Sequence, residues 1–589
     1  MASTTTSLNN HNFGGIRRKD SMFSEDKITC SDCQNVELYY TELNSAVGIR
    51  TAKGNTSLPL KVVTTVDNEE VLSDLQEGET IVGVFETVQL TNTYYIIYTE
   101  YTDSVTSSNS EGRLYKLNLS NGNLERFDLG EVNSSPRKLS VTGKCQGTDF
   151  QQGMIIDGFC FSNGVDIVFI YSNTEKPSSP LVVAGNEPNT FGTGDKLAVN
   201  LTDNINRTVK GLGVVNLFNR LWIFDDNVLW FSRSNAIATF VNLDNSTPPQ
   251  PDNSSTEVTR AGYIEFSKDI TAIHEYLGSL AVFHKDSSAL VTETGQEAPL
   301  FKASDESPGG CAAYDALVFH GTDLFFYDDT KKGIFSFQQV VNGDKTLSDN
   351  IAYDIQDELM AISNNYLHKI RALSVVTSDR NEIWFLTPIE STYTVKEYNE
   401  LTEQYEDVTK PASIILIYDY IRGEWVKRKC QKINCISIID YNLYSAGDKL
   451  YQEYMTNTFD GDYIKNYYQC TVMNLGTDNT LKITKFPPRL TIDASYQNHF
   501  FVKYVKNYNI TKKPKIKELF SKSFGNIMTW NSGDKYNDNK IFKPGAISGI
   551  IKMPSATYKA LEITLYTTDK DQAFTIKALE FSRIKVKQI

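Results

Sequence analysis

Short apolar runs alternate with turn residues along most of this chain, at the period of a strand rather than a helix. Leu324-Phe325-Phe326-Tyr327-Asp328-Asp329 turns at Lys332-Gly333 into Ile334-Phe335. Ile414–Tyr418 passes through Asp419-Tyr420 and Arg422-Gly423 into Glu424-Trp425-Val426. Tyr94–Tyr101 leads to Leu114-Tyr115-Lys116-Leu117 and Asn121-Gly122, and Leu443-Tyr444 turns at Gly447-Asp448 into Leu450-Tyr451. Strand–turn–strand units repeated over several hundred residues predict an all-β fold built radially, a β-propeller.

Six or seven blades fit the spacing. The first is Ile81–Val88, Tyr94–Tyr101 and Leu114–Leu119; the second is Gly153–Phe161 with Asp166–Tyr171. A third is Leu212–Phe218, Arg220–Phe224 and Val228–Ser232, with Asp225-Asp226-Asn227 as a tight hairpin turn. The fourth is Ile270–Tyr276, Leu280–Phe283 and Ala289–Thr292; the fifth is Ala312–Phe319, Leu324–Tyr327 and Ile334–Phe337. Ile370–Val376, Glu382–Leu386, Ile414–Tyr418 and Trp425–Lys429 make the sixth, and Ile433–Ile439 through Leu450–Tyr454 a partial seventh. Helical spacing of Ile351, Ile355, Leu359 and Ile362 predicts one helix over Asp349–Asn364. The proline-bearing stretch Asn242–Thr259 reads as an exposed loop.

Three regions follow. Residues 1–35 are polar, carry the basic triplet Arg17-Arg18-Lys19, and read as an N-terminal arm that is disordered alone and orders on a partner. Residues 36–475 form the propeller body. Past Asp460 the texture changes, and residues 476–589 read as a separate β-sandwich-like domain that closes with Leu561–Tyr566 and Phe574–Ile584.

Composition sharpens this division. With 32 Tyr and 31 Phe but 8 Met, the chain suits half-buried sheet faces. Of the net charge of −14, residues 476–589 hold 20 Lys and Arg against 9 Asp and Glu, which leaves the body at −25. An acidic body repels phosphates, so tight nucleic-acid binding by it is excluded. The basic domain is suited to an acidic partner, and the nearest acidic surface is the body of a neighbouring copy. No apolar run reaches the ~20 residues of a membrane span, and Met1–Ser24 lacks the apolar centre of a signal peptide. The expectation is a soluble protein made in a cytoplasm and not inserted in a membrane. Eight cysteines are too sparse for a disulfide scaffold; Cys145 with Cys160, and Cys430 with Cys435, are the local candidate bridges beyond Cys30/Cys33.

Candidate chemistry is thin. Cys30-Ser-Asp-Cys33 has zinc-knuckle spacing, but no second Cys/His pair follows, and a polar loop with two thiols is the preferred reading. The six histidines, at 11, 274, 284, 320, 368 and 499, are isolated in sequence. Asp225-Asp226 and Asp328-Asp329 are the carboxylates to test for a glycosidase funnel, although turn chemistry accounts for Asp at hairpin tips. Trp222, Trp230, Trp384 and Trp425 lie inside strand patterns and read as core, while Trp530 is the exposed candidate for a sugar platform. The Lys-rich stretch Lys503–Lys522 fits a protein contact or a solvated loop better than a nucleic-acid patch. No catalytic residue, metal ligand or cofactor-binding residue is assigned, and the chain is read as a non-enzyme.

The order of motifs resembles a known family. Glu37-Leu-Tyr-Tyr40, Gly48-Ile49-Arg50-Thr51 and Gly54 are similar to the opening strand and Gly-rich turn of phage head-to-tail stabilisation proteins. Ile270-Thr-Ala-Ile-His-Glu-Tyr-Leu-Gly-Ser-Leu-Ala-Val-Phe283 resembles their mid-propeller blade. Pro308-Gly-Gly-Cys-Ala-Ala313 with Leu317-Val-Phe-His-Gly-Thr-Asp-Leu-Phe-Phe-Tyr327 resembles the next, and Ala578-Leu-Glu-Phe-Ser-Arg583 their final strand. The resemblance implies a structural virion protein of a short-tailed (podovirus-like) phage, part of a tail hub or nozzle. It implies a homo-oligomeric ring, commonly a hexamer, below the portal and adaptor, which holds the packaged genome in and lines the channel through which double-stranded DNA leaves. Asn-, Lys- and Tyr-rich usage suits a crAss-like phage of gut Bacteroidota. The rival readings are a host-receptor- or glycan-binding, glycan-depolymerising tail propeller, and a cellular propeller scaffold for protein interactions.

Overall fold

The computed structural model describes residues 5–10, 13–16, 28–40, 47–66, 69–89, 92–103, 110–129, 131–132, 135–136, 138–152, 156–171, 181–184, 210–234, 240, 261–295, 299–338, 349–399, 404–471, 481–484, 489–495, 500–506, 515–518, 527–528, 541–542, 546–552, 557–558, 561–567 and 574–587. They form a mostly-β protein with many small antiparallel sheets. Seven of these follow one another along the chain.

The first sheet holds Glu79–Gln89, Asn92–Tyr101, Glu111–Asn118 and Asn123–Arg126, extended by Lys61–Val66 and Glu69–Ser73. The second is Gln146–Gln152, Ile156–Ser162, Ile167–Tyr171 and Leu181–Ala184; the third is Leu212–Leu217, Arg220–Asp225, Val228–Phe231 and Gly262–Glu265. Ile270–Tyr276, Ser279–His284, Ser287–Glu293 and Phe301–Ala303 lead the fourth, and Leu317–His320, Asp323–Asp328 and Gly333–Ser336 make the fifth. The sixth is Arg371–Val376, Asn381–Asn399, Gln404–Asp419 and Glu424–Gln431. The seventh is Ile433–Ile439, Asn442–Gly447 and Leu450–Glu453, and its fourth strand, Asn55–Leu58, comes from the N-terminal side of all the others.

The first strands of neighbouring sheets pack together in sequence order from the first sheet to the fourth and from the fifth to the seventh. Phe283 bridges the fourth sheet to Phe326 of the fifth at 5.2 Å, and Ile433–Ile439 of the seventh packs on Glu79–Gln89 of the first. The seven sheets therefore close into a ring. Its core is apolar where the sheets face one another, as in Val82, Ile96, Phe159 and Phe161 between the first and second.

The closing strand is tied down by buried polar groups. Asn55 donates to Glu453 at 3.0 Å and exchanges hydrogen bonds with Gln431, while Glu453 forms a fully buried ion pair with Arg428. At Gly54 a Cβ would stand 1.9 Å from the Thr458 carbonyl oxygen, so only glycine lets the chain enter here.

Besides two two-stranded pairs, two further sheets, of eight and six strands, stand among the described residues, and segments from both ends of the chain build them. In one, Thr5–Asn10, Val36–Tyr40 and Val47–Thr51 stand with Leu481–Thr484, Arg489–Ser495, Ala546–Lys552, Thr557–Tyr558 and Phe574–Lys587. In the other, Phe13–Ile16 and Ile28–Gln34 stand with Tyr467–Cys470, Leu561–Thr567, Phe500–Lys506 and Lys515–Glu518. The described parts of the expected N-terminal arm thus lie in strands shared with the expected C-terminal domain. Asn35, at φ 54°, makes the kink that carries the chain from one sheet to the other. Its backbone N–H donates to the Lys427 carbonyl at 2.9 Å, which fastens the pair of sheets to the ring. Phe574 and Ile563 share one core with Trp384 and Trp425.

The expected helix over Asp349–Asn364 is reduced to a 3-10 turn, Tyr353–Ile355, running into the short α-helix Gln356–Met360; Ser363 then takes an extended backbone, and a separate 3-10 piece, Asn364–Lys369, follows. Ile355, Leu359 and Ile362 are buried as the spacing required. All eight cysteines are free and buried, so neither candidate local bridge forms. Cys430 lies in the sixth sheet and Cys435 in the first strand of the seventh, while the Cys145 thiol donates to the Val82 carbonyl at 3.4 Å.

Candidate functional site

The ring axis is the first place to look for chemistry. At the end where the first strands begin, side chains reach across it. Gln146 of the second sheet donates to Asp315, at the start of the fifth, at 2.8 Å, and accepts from the Gly213 N–H beside the third. Arg371 of the sixth pairs with Asp315 at 3.4 Å, lies 5.0 Å over the Tyr314 ring, and donates to the carbonyls of His368 and Gly143. The second sheet is not a neighbour of the fifth or sixth, so these contacts span the interior of the ring. Burial pulls the Arg371 pKa down, but Tyr314 and Asp315 outweigh it and hold the guanidinium charged. Burial pushes the Asp315 carboxyl up, and Arg371 opposes it. Such a pair pins sheets together; among the described residues no nucleophile is hydrogen-bonded to a base here.

Around this knot stand Lys144, Lys369 and His368. His368 is held below the ordinary histidine range by burial and then by Lys144, Lys369 and Arg371.

A cleft of about 500 Å³ opens between the sixth and seventh sheets and the strands of the N-terminal region. Its charges are matched: Arg380 meets Glu37 at 3.0 Å and Glu382 at 3.3 Å and stacks 3.5 Å from the Tyr454 ring, and Arg50 meets Glu37 at 2.9 Å. Burial raises the Glu382 carboxyl despite Arg380.

The sequence candidates fall elsewhere and apart. Asp225-Asp226 and Asp328-Asp329 occupy equivalent hairpin turns in the third and fifth sheets, with the fourth between them. Asp328 accepts the N–H groups of Thr330 (2.8 Å) and Lys331 (3.0 Å) and pairs with the Lys331 ammonium, while Asp329 pairs with Lys332. Burial raises Asp225, with Lys210 opposing. All four sit at hairpin turns, and Asp328 and Asp329 are engaged by groups of their own turn.

Cys30 and Cys33 lie in a buried strand rather than a polar loop, with Cys470 opposite Cys30. Burial, then a hydrogen bond with Cys33, pushes the Cys30 thiol up. Among the described residues no group of three His, Cys, Asp or Glu is placed to hold a metal ion. Trp222, Trp230, Trp384 and Trp425 are buried in the sheets. Trp530 lies outside the described residues, as does Lys503–Lys522 except for 503–506 and 515–518. His284 and His320 bond the Asp269 carbonyl (3.0 Å) and the Ser374 hydroxyl (2.8 Å).

Sequence reasoning missed one surface feature. The two middle strands of the sixth sheet continue beyond it as a two-stranded ribbon, Ser391–Asn399 paired with Gln404–Ala412 after a bulge near Thr387. At ~3.4 Å per residue the ribbon extends about 27 Å. Its base is fixed, since Asp462 accepts from Tyr393 at 2.9 Å and pairs with Lys410 at 3.1 Å. Farther out, Tyr398 and Tyr405 face each other at 5.4 Å and are 54% and 71% exposed. The flanking strands of the sheet pair only as far as Leu386 and Ala412, so among the described residues both outer edges of the ribbon are open. Alternating Thr394, Val395, Lys396 and Thr409, Val408, Asp407 carried a signal that could have shown it.

No family model matches the chain, and no curated protein does. Among solved structures, a mannose phosphorylase from Leishmania mexicana in complex with phosphate ion shares 10% identity, with 68% of this chain and 88% of that one covered, at a TM-score of 0.18. A β-fructofuranosidase from Schwanniomyces occidentalis complexed with fructosyl-erythritol shares 8% identity over 98% of each chain, also at 0.18. At these TM-scores the likenesses carry no weight for fold or activity. Among the described residues no helix is long and apolar enough to cross a membrane.

Proposed function

We propose that this protein is a seven-bladed β-propeller serving as a structural virion subunit, one of a ring that forms the tail hub or nozzle of a short-tailed phage. The ribbon is the observation that carries the reading. A rigid closed body with a projecting two-stranded arm, open along both edges, is built to join copies to one another or to neighbouring tail proteins. The body supports this role: seven consecutive sheets closed by a strand from the far end of the chain make a wall that resists opening. A charge of −25 outside residues 476–589 would keep DNA phosphates from adhering as the genome leaves. Portal and adaptor proteins are the neighbours in this reading, and the virion tail, assembled in host cytoplasm, is its location.

A glycan-binding propeller would present aromatic rings to solvent at the ring axis, and the four described tryptophans are buried instead. Electron microscopy with mass photometry tests the proposal. Closed rings, alone or on addition of portal or adaptor, are the expected outcome. A strict monomer in the presence of all tail partners would overturn it.

A further inference from the structure

We propose that the ribbon docks edge to edge on the strand Lys515–Glu518 of a second copy of this chain, which makes one continuous sheet across the subunit boundary. The inference rests on the ring reading above and names the contact that builds the ring.

Three observations meet on this pair of elements. The first is backbone chemistry. Among the described residues the ribbon has open edges from Ser391 outward and up to Pro411, and Lys515–Glu518 is the outermost strand of its six-stranded sheet, paired on one side only, to Phe500–Lys506. Two open edges satisfy each other's N–H and C=O groups when laid side by side.

The second is charge. From Ser391 to Ala412 the sequence holds five carboxylates against Lys396 and Lys410, the latter already paired with Glu397 at 2.5 Å, whereas Lys503–Lys522 holds seven lysines against Glu518. Opposite charges on facing strands stabilise pairing, and like charges on either element disfavour pairing with itself.

The third is apolar surface in the right place. Tyr405 and Tyr398 stand exposed on the ribbon, and Ile516 is 57% exposed in the middle of the edge strand. Aromatic and β-branched side chains across a strand pair are a favourable combination. Within one chain the ribbon base is held by Asp462, and among the described residues the two open edges are not paired with each other. A ribbon and an acceptor strand at different places on the subunit give a head-to-tail contact, the kind that closes a ring by rotation.

The test mixes two full-length single variants, Tyr405→Cys and Ile516→Cys, and adds a short bismaleimide. The eight native thiols are buried, and the wild-type chain is the control. The expected result is a covalent dimer formed only in the mixture. It should be lost at least tenfold in a Lys515→Glu/Lys517→Glu background, and weakened in roughly 0.5 M salt, where charges are screened. Rings by mass photometry with no cross-link would overturn the docking and leave the ring reading standing. Monomers throughout, with portal and adaptor present, would overturn both.

Discussion

One strand of this protein lives in two environments. In Gln404–Asp419, the segment from Ala412 to Ile417 is buried and pairs on both sides, while the segment from Gln404 to Pro411 is largely exposed and pairs on one. The inner half is Ala-Ser-Ile-Ile-Leu-Ile, apolar at nearly every position as a strand covered on both faces requires. The outer half is Gln-Tyr-Glu-Asp-Val-Thr-Lys-Pro, polar and acidic. The backbone is the same extended ladder in both. The inner half is held by its neighbours in the ring; the outer half is held by its partner strand, by Val408 against the core and by Lys410 on Asp462, and offers its edge outward. In the proposed reading, stability and assembly are thus separated along one element.

The sharpest way to break that separation is to strike the inner half. Trp384, in the strand beside it, is fully buried, donates to Glu382 at 2.9 Å and packs on Tyr454. Trp384→Ala should cost about 3–5 kcal/mol by chemical denaturation. Next is the buried Arg428–Glu453 pair at the ring closure. Glu453→Ala strands a buried guanidinium and the Asn55 amide and should cost about 3 kcal/mol, by the same measurement. In the outer half, Tyr398→Ser/Tyr405→Ser should change stability by no more than about 0.5 kcal/mol while reducing ring formation in mass photometry. A large stability loss there would show the ribbon to be part of the folding unit after all.

The smallest expected effect is a pH dependence of the body. Burial lowers the pKa of His320 and His368, with Lys144, Lys369 and Arg371 adding to the second. The folded state disfavours their protonation, so the unfolded state takes up more protons as pH falls below about 6.5. Their stabilisation is complete above that value and is lost on acidification toward the folded-state pKa. The unfolding temperature should drop between about pH 7.5 and about pH 5.5, and His320→Gln/His368→Gln should flatten the profile.

Much of the ring was legible because local apolar runs bounded by Gly, Asn and Asp are a strand's own signature, as in Leu324–Asp329 and Arg220–Asp225. What was not legible depended on partners distant in sequence. Asn55–Leu58 is four unremarkable residues until Leu450–Glu453 stands beside it. Ile28–Leu38 is buried only because strands near residues 470 and 570 cover it, so its polar surroundings suggested a loose arm. The Asp315–Arg371 knot joins residues whose sequence neighbours say nothing of an axis. The turn aspartates and strand tryptophans read correctly as turn and core, since their roles are local.

The closing strand also sets a schedule. Residues 55–58 leave the ribosome roughly 400 residues before the strand they must join, a delay of about 20–80 s at ordinary synthesis rates. Throughout that interval Asn55–Leu58 waits without the strand it will pair with and the nascent ring stays open. Folding of this chain is therefore completed late and over a long sequence separation, which places it among slow folders.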